Sequence, residues 1–499
     1  MMNLLLINPA YPNTFWSFKY ALKFIGKKAA FPPLGLLTVA AMLPGQFQTR
    51  LVDVNVEDLK EADLAWAQMV FISAMAIQRA SAKNIIGRCR SHGLKVVAGG
   101  PLFTSEPEAF PEVDHLVLDE AELTLPSFLA DLQDDQPKKI YRAGGFCHLG
   151  QTPIPDWGLV RMKNYASMCI QFSRGCPFNC DFCNVTALFG HRVRMKTPLQ
   201  VLAELDRLYA AGWRGNIFFV DDNFIGNRAF LKAHLLPALM AWRQTRKGCV
   251  FYTEASINLA DDPELMEMMV RAGFDLVFIG IESPDEQSLA ECKKNQNKNR
   301  DLLRSVRTIQ QAGLQVSGGF IVGFDCDTPA TFQRHIDFIQ QSGIVTAMVG
   351  MLQAPPGTLL FERLQKENRV VGQISGDNVD GTTNIVPKMG LSTLVEGYQT
   401  IMAHIYSPRH YYQRVRTLLR EFGNPHAKAP MDFQRCLAFF KTCLRLGIIG
   451  RERLHYWYLL LWTLIRKPRQ LPLAITLTIY GHHFRRICER NIFGIGSQR

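Results

Sequence analysis

Twice along this chain, short apolar runs of strand character alternate with helical stretches, and that rhythm restricts the fold more than any other feature. In the first series, over residues 1–145, the strands read 3–8, 50–55, 69–75, 94–98 and 115–118, with helical stretches such as 77–89 between them. The runs are nearly continuous Leu, Ile and Val, the pattern of strands covered on both faces. Strand–helix–strand repeats demand a parallel sheet with right-handed crossovers. A doubly wound, Rossmann-like α/β domain of about five strands is expected. Residues 134–155 are polar and broken by prolines and glycines, so the linker is placed at 146–165.

The second series, over 166–384, has strands at 167–172, 216–220, 250–256, 276–281, 315–322 and 346–352. Helices are read at 198–211, 227–246, 262–273, 300–313 and 329–342, and Gly212, Gly273, Gly313 and Gly343 stand where C-caps belong. Six units point to a partial (β/α)6 barrel of the TIM type. From 385 to 499 the chain reads as a helical extension.

Charge separates this extension from the rest. The chain has 56 Lys/Arg against 44 Asp/Glu, and residues 431–499 alone hold twelve against three. The other 430 residues are close to neutral, so nucleic acid is not an expected partner. The basic segments bracket aromatic and aliphatic runs such as 456–465, which are too short to span a bilayer. Peripheral contact with the inner face of the membrane is expected there; the alternative is a helical cap with a solvated basic face. The first residues lack a basic n-region, so no signal peptide is expected. Twelve cysteines, three of them clustered, suit a reducing cytoplasm.

The cluster is Cys176-x3-Cys180-x2-Cys183, directly after the first barrel strand. Three thiolates on one loop hold three corners of a cubane iron–sulfur cluster and leave the fourth iron open. Zinc, with His191 forced into service, and buried structural thiols are the alternatives. Barrel enzymes place their chemistry at strand C-termini. Those ends carry Asp221 and Asp222, Glu254 and Ser256, Glu282 and Ser283, and Gly323. Singly, Asp222 or Ser283 reads equally well as a helix cap.

With Phe182 before its last cysteine, the loop resembles that of the radical S-adenosylmethionine (SAM) superfamily. The resemblance implies a 4Fe-4S cluster on Cys176, Cys180 and Cys183 whose unique iron chelates SAM. It also implies reductive cleavage of SAM to a 5′-deoxyadenosyl radical, with a flavodoxin or ferredoxin as electron donor. SAM contacts are implied for Phe182, Asp221, Asp222, Glu254, Ser256 and Glu282. Gly323 joins them as part of the glycine-containing strand 318–324, which backs the adenine.

In the first domain, Gly99-Gly100-Pro101-Leu102-Phe103-Thr104 follows the fourth strand and Asp119-Glu120-Ala121-Glu122 the fifth. No Gly-x-Gly-x-x-Gly follows the first strand, which speaks against NAD. With Pro32-Pro33-Leu34-Gly35, these features resemble the cobalamin-binding domain that precedes many radical SAM barrels. The resemblance implies cobalamin contacts for Gly99, Gly100, Thr104 and Glu120. No Asp-x-His-x-x-Gly occurs, so a lower axial histidine is not expected; a cofactor-free docking domain is the alternative. Residues 14–26, 221–227 and 253–259 look like the group that includes the hopanoid C-2 methylases, with Asn184 where that group has an acid. The expectation is a cobalamin-dependent C-methyltransferase acting on an unactivated carbon, that of a small molecule or a lipid. The runner-up is a radical SAM enzyme without methyl transfer.

Overall fold

The computed structural model describes residues 2–377, 379–423 and 433–494. The first sheet contains β1 (Met2–Asn8), β2 (Phe47–Asp53), β3 (Met69–Ser73), β4 (Lys95–Gly99), β5 (His115–Val117) and β6 (Ile140–Tyr141), ordered β2-β1-β3-β4-β5-β6 and parallel throughout. Helices cover both faces, and separate cores form on either side. β6 lies in the stretch read as polar connection. Two residues are too few to show a period, yet Leu116 N–H donates to Lys139 O and Leu118 N–H to Tyr141 O, adding an edge strand.

The second sheet contains β7 (Ser167–Ile170), β10 (Asn216–Phe219), β11 (Val250–Glu254), β12 (Phe274–Glu282), β13 (Gln315–Val322) and β14 (Ala347–Met351), parallel and ordered β14-β13-β12-β11-β10-β7. A small antiparallel pair, β8 (Ser173–Arg174) with β9 (Arg194–Met195), rises from the end of β7. Ile217, Phe219, Phe251, Val277 and Ile279 are buried beneath the outer helices. Between them Phe218, Tyr252 and Phe278 point to the other face and stay partly accessible. The strand period of two therefore separates a packed outer face from an open lumen, where a complete barrel would have a filled centre.

The helix expected over 227–246 is interrupted. Asn227 caps it by accepting from Phe230 N–H at 3.1 Å, and a wide turn at Leu231–Leu235 precedes Leu236–Thr245. Pro237 has no N–H to close a normal turn, which accounts for the widening there.

The first domain leans its carboxyl rim on the open side of the barrel. Asp53, at the end of β2, accepts from Tyr165 Oη at 2.9 Å just before β7. At the other side, a Cβ on Gly376, after β14, would lie 2.9 Å from Ile77 N, after β3. The rim thus spans the gap between the first and last barrel strands.

The extension comprises Leu391–Ile405, Pro408–Glu421, Phe433–Thr442, Arg453–Arg466 and Leu471–Ile487. Arg414 is fully buried and donates to Gln340 Oε1, Ile405 O and Val345 O, tying these helices to the barrel. The ring of Phe484 packs 4.8 Å from that of Phe15, and His483 Nε2 meets Phe15 O at 2.9 Å. Burial depresses the His483 pKa to about 4, so the ring is neutral and donates to that carbonyl. The inner side of the extension is therefore a cap. None of the twelve cysteines forms a disulfide.

Candidate active site at the barrel strand ends

The cysteine loop is held at its base. Gly175 has φ +91°, and a Cβ there would lie 2.7 Å from Arg192 O, so the loop closes tightly only with glycine. Asp221, after β10, is fully buried and accepts from Phe172 N–H, from Ser173 N–H, and from Ser173 Oγ at 2.5 Å. Burial pushes Asp221 up to about 7 against the pull of those bonds. Its oxygens are committed to anchoring the loop.

Above this base the three cysteines share one electrostatic neighbourhood. Burial raises the Cys176 thiol, and raises Cys183 to about 12, with neighbouring cysteine charges adding and Lys294 opposing. Cys180 is buried and accepts from Gln296 Nε2 at 3.6 Å. Lys294 Nζ pairs with Glu282 Oε1 at 2.7 Å and lies 5.9 Å from the centre of the Phe182 ring. Burial works against the Lys294 charge, but Glu282 and the thiolates outweigh it and raise its pKa. A Cβ on Gly280 would fall 2.2 Å from Glu282 Oε1 and 2.9 Å from Lys294 Nζ, so this glycine makes room for the pair.

Opposite stands an acidic side. Burial raises Asp222 to about 6, and raises Glu254, at the end of β11, to about 8, with Asp222 and Asp221 adding to the latter. Glu254 makes no hydrogen bond or ion pair among the described residues. A half-buried carboxyl without a side-chain partner, with its pKa raised, suits a cation or donor. Ser256 serves its own loop, donating from Oγ to Asn258 Oδ1 at 2.6 Å and from N–H to Asn223 Oδ1. Gly323 (φ +108°) donates N–H to Asp327 Oδ2 at 2.8 Å. A Cβ on it would lie 3.0 Å from Leu394 Cδ2, so it admits the helix Leu391–Ile405.

Cys176, Cys180, Cys183, Phe182, Asp222, Glu254 and Glu282 are thus brought together, while Asp221, Ser256 and Gly323 support them from behind. Lys294 and Gln296 were missed. They lie in Lys293-Lys294-Asn295-Gln296-Asn297-Lys298, which reads as a solvated loop. Among the described residues no three His, Cys, Asp or Glu side chains converge as a single metal ion requires. A cubane is less demanding, since each thiolate binds its own iron.

At the first-domain rim, a Cβ on Gly99 would lie 2.5 Å from Val117 O, and one on Gly100 (φ +88°) 2.5 Å from Ser73 Oγ. Both positions exclude side chains and leave bare backbone close to the exposed Met75 segment, a surface suited to a flat macrocycle. Thr104 Oγ1 accepts from Asp119 N–H at 2.9 Å. Within the sheet domain His92 meets Glu61 and His115 meets Lys138 O. The bare backbone of the rim fits a corrinoid face.

Glu120 is placed differently from its expectation. It is buried, with Oε1 meeting Arg174 Nη1 at 3.0 Å and Arg194 Nη1 at 2.8 Å, and Oε2 accepting from Cys147 N–H at 2.6 Å. Glu122 pairs with Arg174 Nη2 at 2.7 Å and accepts from Thr152 Oγ1. Arg174 is two residues before Cys176, so this network bolts the first domain to the base of the cysteine loop. Its strength is testable. In the Arg174→Met protein, Glu122 is left buried without a cation, a loss of about 3–5 kcal/mol. A clear drop in denaturation midpoint and easier proteolysis between the domains are expected; a midpoint equal to that of the parent would refute the latch.

The lumen below is aromatic. The rings of Phe218 and Tyr252 stack at 4.9 Å, Phe31 lies 5.6 Å from Phe218, and Trp16 lies 5.3 Å from Phe278.

Comparison with known proteins gives the family. The radical SAM superfamily profile matches residues 170–339, a B12 binding domain profile 28–129, and a domain of unknown function 358–495. An uncharacterised methyltransferase of Synechocystis is 40% identical, covering 100% of this chain and 94% of its own. The hopanoid C-2 methylase of Rhodopseudomonas palustris is 34% identical, over 96% and 92%. Among solved structures, the cobalamin-dependent SAM radical enzyme OxsB, with aqua-cobalamin and SAM bound, covers 100% of this chain and 84% of its own at TM-score 0.62 and 15% identity. The radical SAM methyltransferase TsrM of Kitasatospora setae, with cobalamin and a [4Fe-4S] cluster bound, covers 75% and 77% at TM-score 0.58 and 17% identity.

The chain belongs to the cobalamin-dependent radical SAM methyltransferase family. It is a radical SAM enzyme whose cofactors are a 4Fe-4S cluster, SAM and cobalamin.

Proposed function

We propose that this enzyme transfers a methyl group to an unactivated carbon of a large apolar substrate, a polycyclic or isoprenoid lipid, and that it works in the cytoplasm at the inner face of the membrane. The observation that carries the substrate class is the open aromatic lumen beneath the cysteine loop. Phe31, Phe218, Tyr252 and Phe278 offer ring faces and edges, and the hopanoid C-2 methylase relative is named for a lipid of this kind.

Cys176, Cys180 and Cys183 would hold the cluster, with Phe182, 5.9 Å from Lys294 Nζ, as an apolar neighbour. Asp222 and Glu254 would offer carboxylates to the cationic part of SAM, and Lys294, held by its ion pair with Glu282, keeps a positive charge beside the thiolates. Gly99, Gly100 and Thr104 form the cobalamin rim above the lumen. When bound, these cofactors supply the radical that removes hydrogen from the substrate and the methyl group that replaces it. The aromatic walls exclude water, which would otherwise compete for a reactive intermediate.

Glu254 gives this assignment a pH signature. Its carboxyl holds a proton to about pH 8 in the ligand-free protein. Binding a cation beside it favours the ionised form, so binding releases that proton. SAM affinity is therefore expected to rise with pH up to about 8, and Glu254→Gln should flatten the dependence. Calorimetry of SAM binding in buffers of different ionisation enthalpy measures the proton release directly. The same linkage lowers fold stability. The native state retains a proton the unfolded chain loses above the ordinary carboxylate pKa, so Glu254 costs stability increasingly between there and about pH 8.

The function itself is tested by comparing lipid extracts of cells with and without the gene by mass spectrometry. A lipid heavier by one methylene, present only with the gene, is expected. Reductive SAM cleavage by the purified protein with an unchanged lipid profile would favour the reading without methyl transfer.

A further inference from the structure

We infer that the helices Phe433–Thr442 and Arg453–Arg466, with the turn between them, form a preformed face that seats on an anionic lipid bilayer. The inference goes beyond the reaction and does not depend on the identity of the substrate. Arg453–Arg466 is apolar all round. Tyr456, Leu459, Leu460 and Thr463 are buried on one side, yet Leu454, Leu461 and Ile465 on the other are exposed by 79%, 56% and 76%. A helix hydrophobic on every side belongs inside a core or against lipid. Phe440, Leu444 and Ile448 continue the patch, also exposed and spaced along one face. Of the twenty-three exposed large hydrophobics among the described residues, eleven fall between 437 and 465, so this is one concentrated surface. Trp457 Nε1 donates to Gly447 O at 2.9 Å, locking the two helical segments together.

Charge selects the occupant. Residues 437–470 contain seven Lys/Arg and one acid, Glu452, which is buried against Arg485. Arg451, Arg453, Arg466 and Arg469 are exposed and make no ion pair among the described residues. A second copy of the chain meeting this face about a twofold axis would set these arginines against their own copies. Anionic headgroups complement them, each contact strengthening binding about fivefold, while the apolar stripe enters the headgroup–acyl boundary. No helix among the described residues is long and apolar enough to cross a membrane, so the contact is a peripheral one.

The test is sedimentation of the intact, reconstituted protein with phosphatidylglycerol vesicles and with phosphatidylcholine vesicles at low and high salt. Binding to the anionic vesicles that weakens with salt is expected. Leu461→Glu with Ile465→Glu, and separately Arg451→Glu with Arg453→Glu, should each weaken it about tenfold or more. Reductive SAM cleavage in solution reports separately on the enzyme and should be unchanged, since all four positions are solvent-exposed. Three results would overturn the inference: no binding by the parent, equal binding by both double variants, or a lipid-free dimer that the apolar variant dissociates. Loss of SAM cleavage in the parent, with vesicle binding intact, would strike the reaction reading and leave the docking face standing.

Discussion

Cys180→Ala protein, purified anaerobically, should retain its fold but contain little of the iron of the parent, lose the broad absorbance near 400 nm typical of thiolate-bound clusters, and form no 5′-deoxyadenosine from SAM. The reason lies in the loop. Cys176, Cys180 and Cys183 are the cysteines carried together on one tight segment, anchored by Asp221 through Phe172 and Ser173. Removing one thiolate of three leaves two corners of a cubane without replacement, since Cys292, though nearby through its carbonyl to Asp181 N–H, is a buried thiol raised by burial. Cys292→Ala should accordingly keep both cluster and activity. Substantial SAM cleavage by the Cys180→Ala protein would sink the assignment.

Lys294→Met should be nearly as damaging by a different route. Both side chains of the Lys294–Glu282 pair are largely buried. Breaking such a pair from one side leaves an uncompensated charge at a cost of about 3–5 kcal/mol. It also removes the cation that stabilises the neighbouring thiolates, so the cluster should become harder to reduce. Lower stability, a more negative midpoint in a reductive titration, and strongly slowed SAM cleavage are expected together. Lys294→Arg should rescue part of each. A Lys294→Met protein with unchanged midpoint would show that the pair is structural only.

Most of the architecture was legible because it depends on local periodicity. Runs of Leu, Ile and Val at β1, β3 and β4, and glycine after the helices ending at Ala272 and Ser342, report burial and capping on the chain itself. What escaped depends on distant partners. β6 is too short for a pattern, and Ile140 shows its pairing only through Leu116. Lys294 looks like one lysine in a polar loop until β12 brings Glu282 to it. Glu120 sits where the resemblance implies a cofactor contact, but Arg174 and Arg194, some fifty to seventy-five residues on, claim its carboxylate. The basic tail divides between two faces. His483 and Phe484 face inward and cap the barrel, while Leu454 and Ile465 face outward. Composition alone cannot divide one segment between two faces.

The central claim, radical generation coupled to methyl transfer in one chain, is tested most directly by counting the products of SAM. The protein is reconstituted anaerobically with iron, sulfide and cobalamin, reduced with dithionite, and supplied with SAM bearing a deuterated methyl group and an apolar lipid extract from cells lacking the gene. The account predicts 5′-deoxyadenosine and S-adenosylhomocysteine in about equal amounts, with the deuterated methyl appearing in a lipid. Release of 5′-deoxyadenosine with neither S-adenosylhomocysteine nor label in the lipid fraction would contradict it.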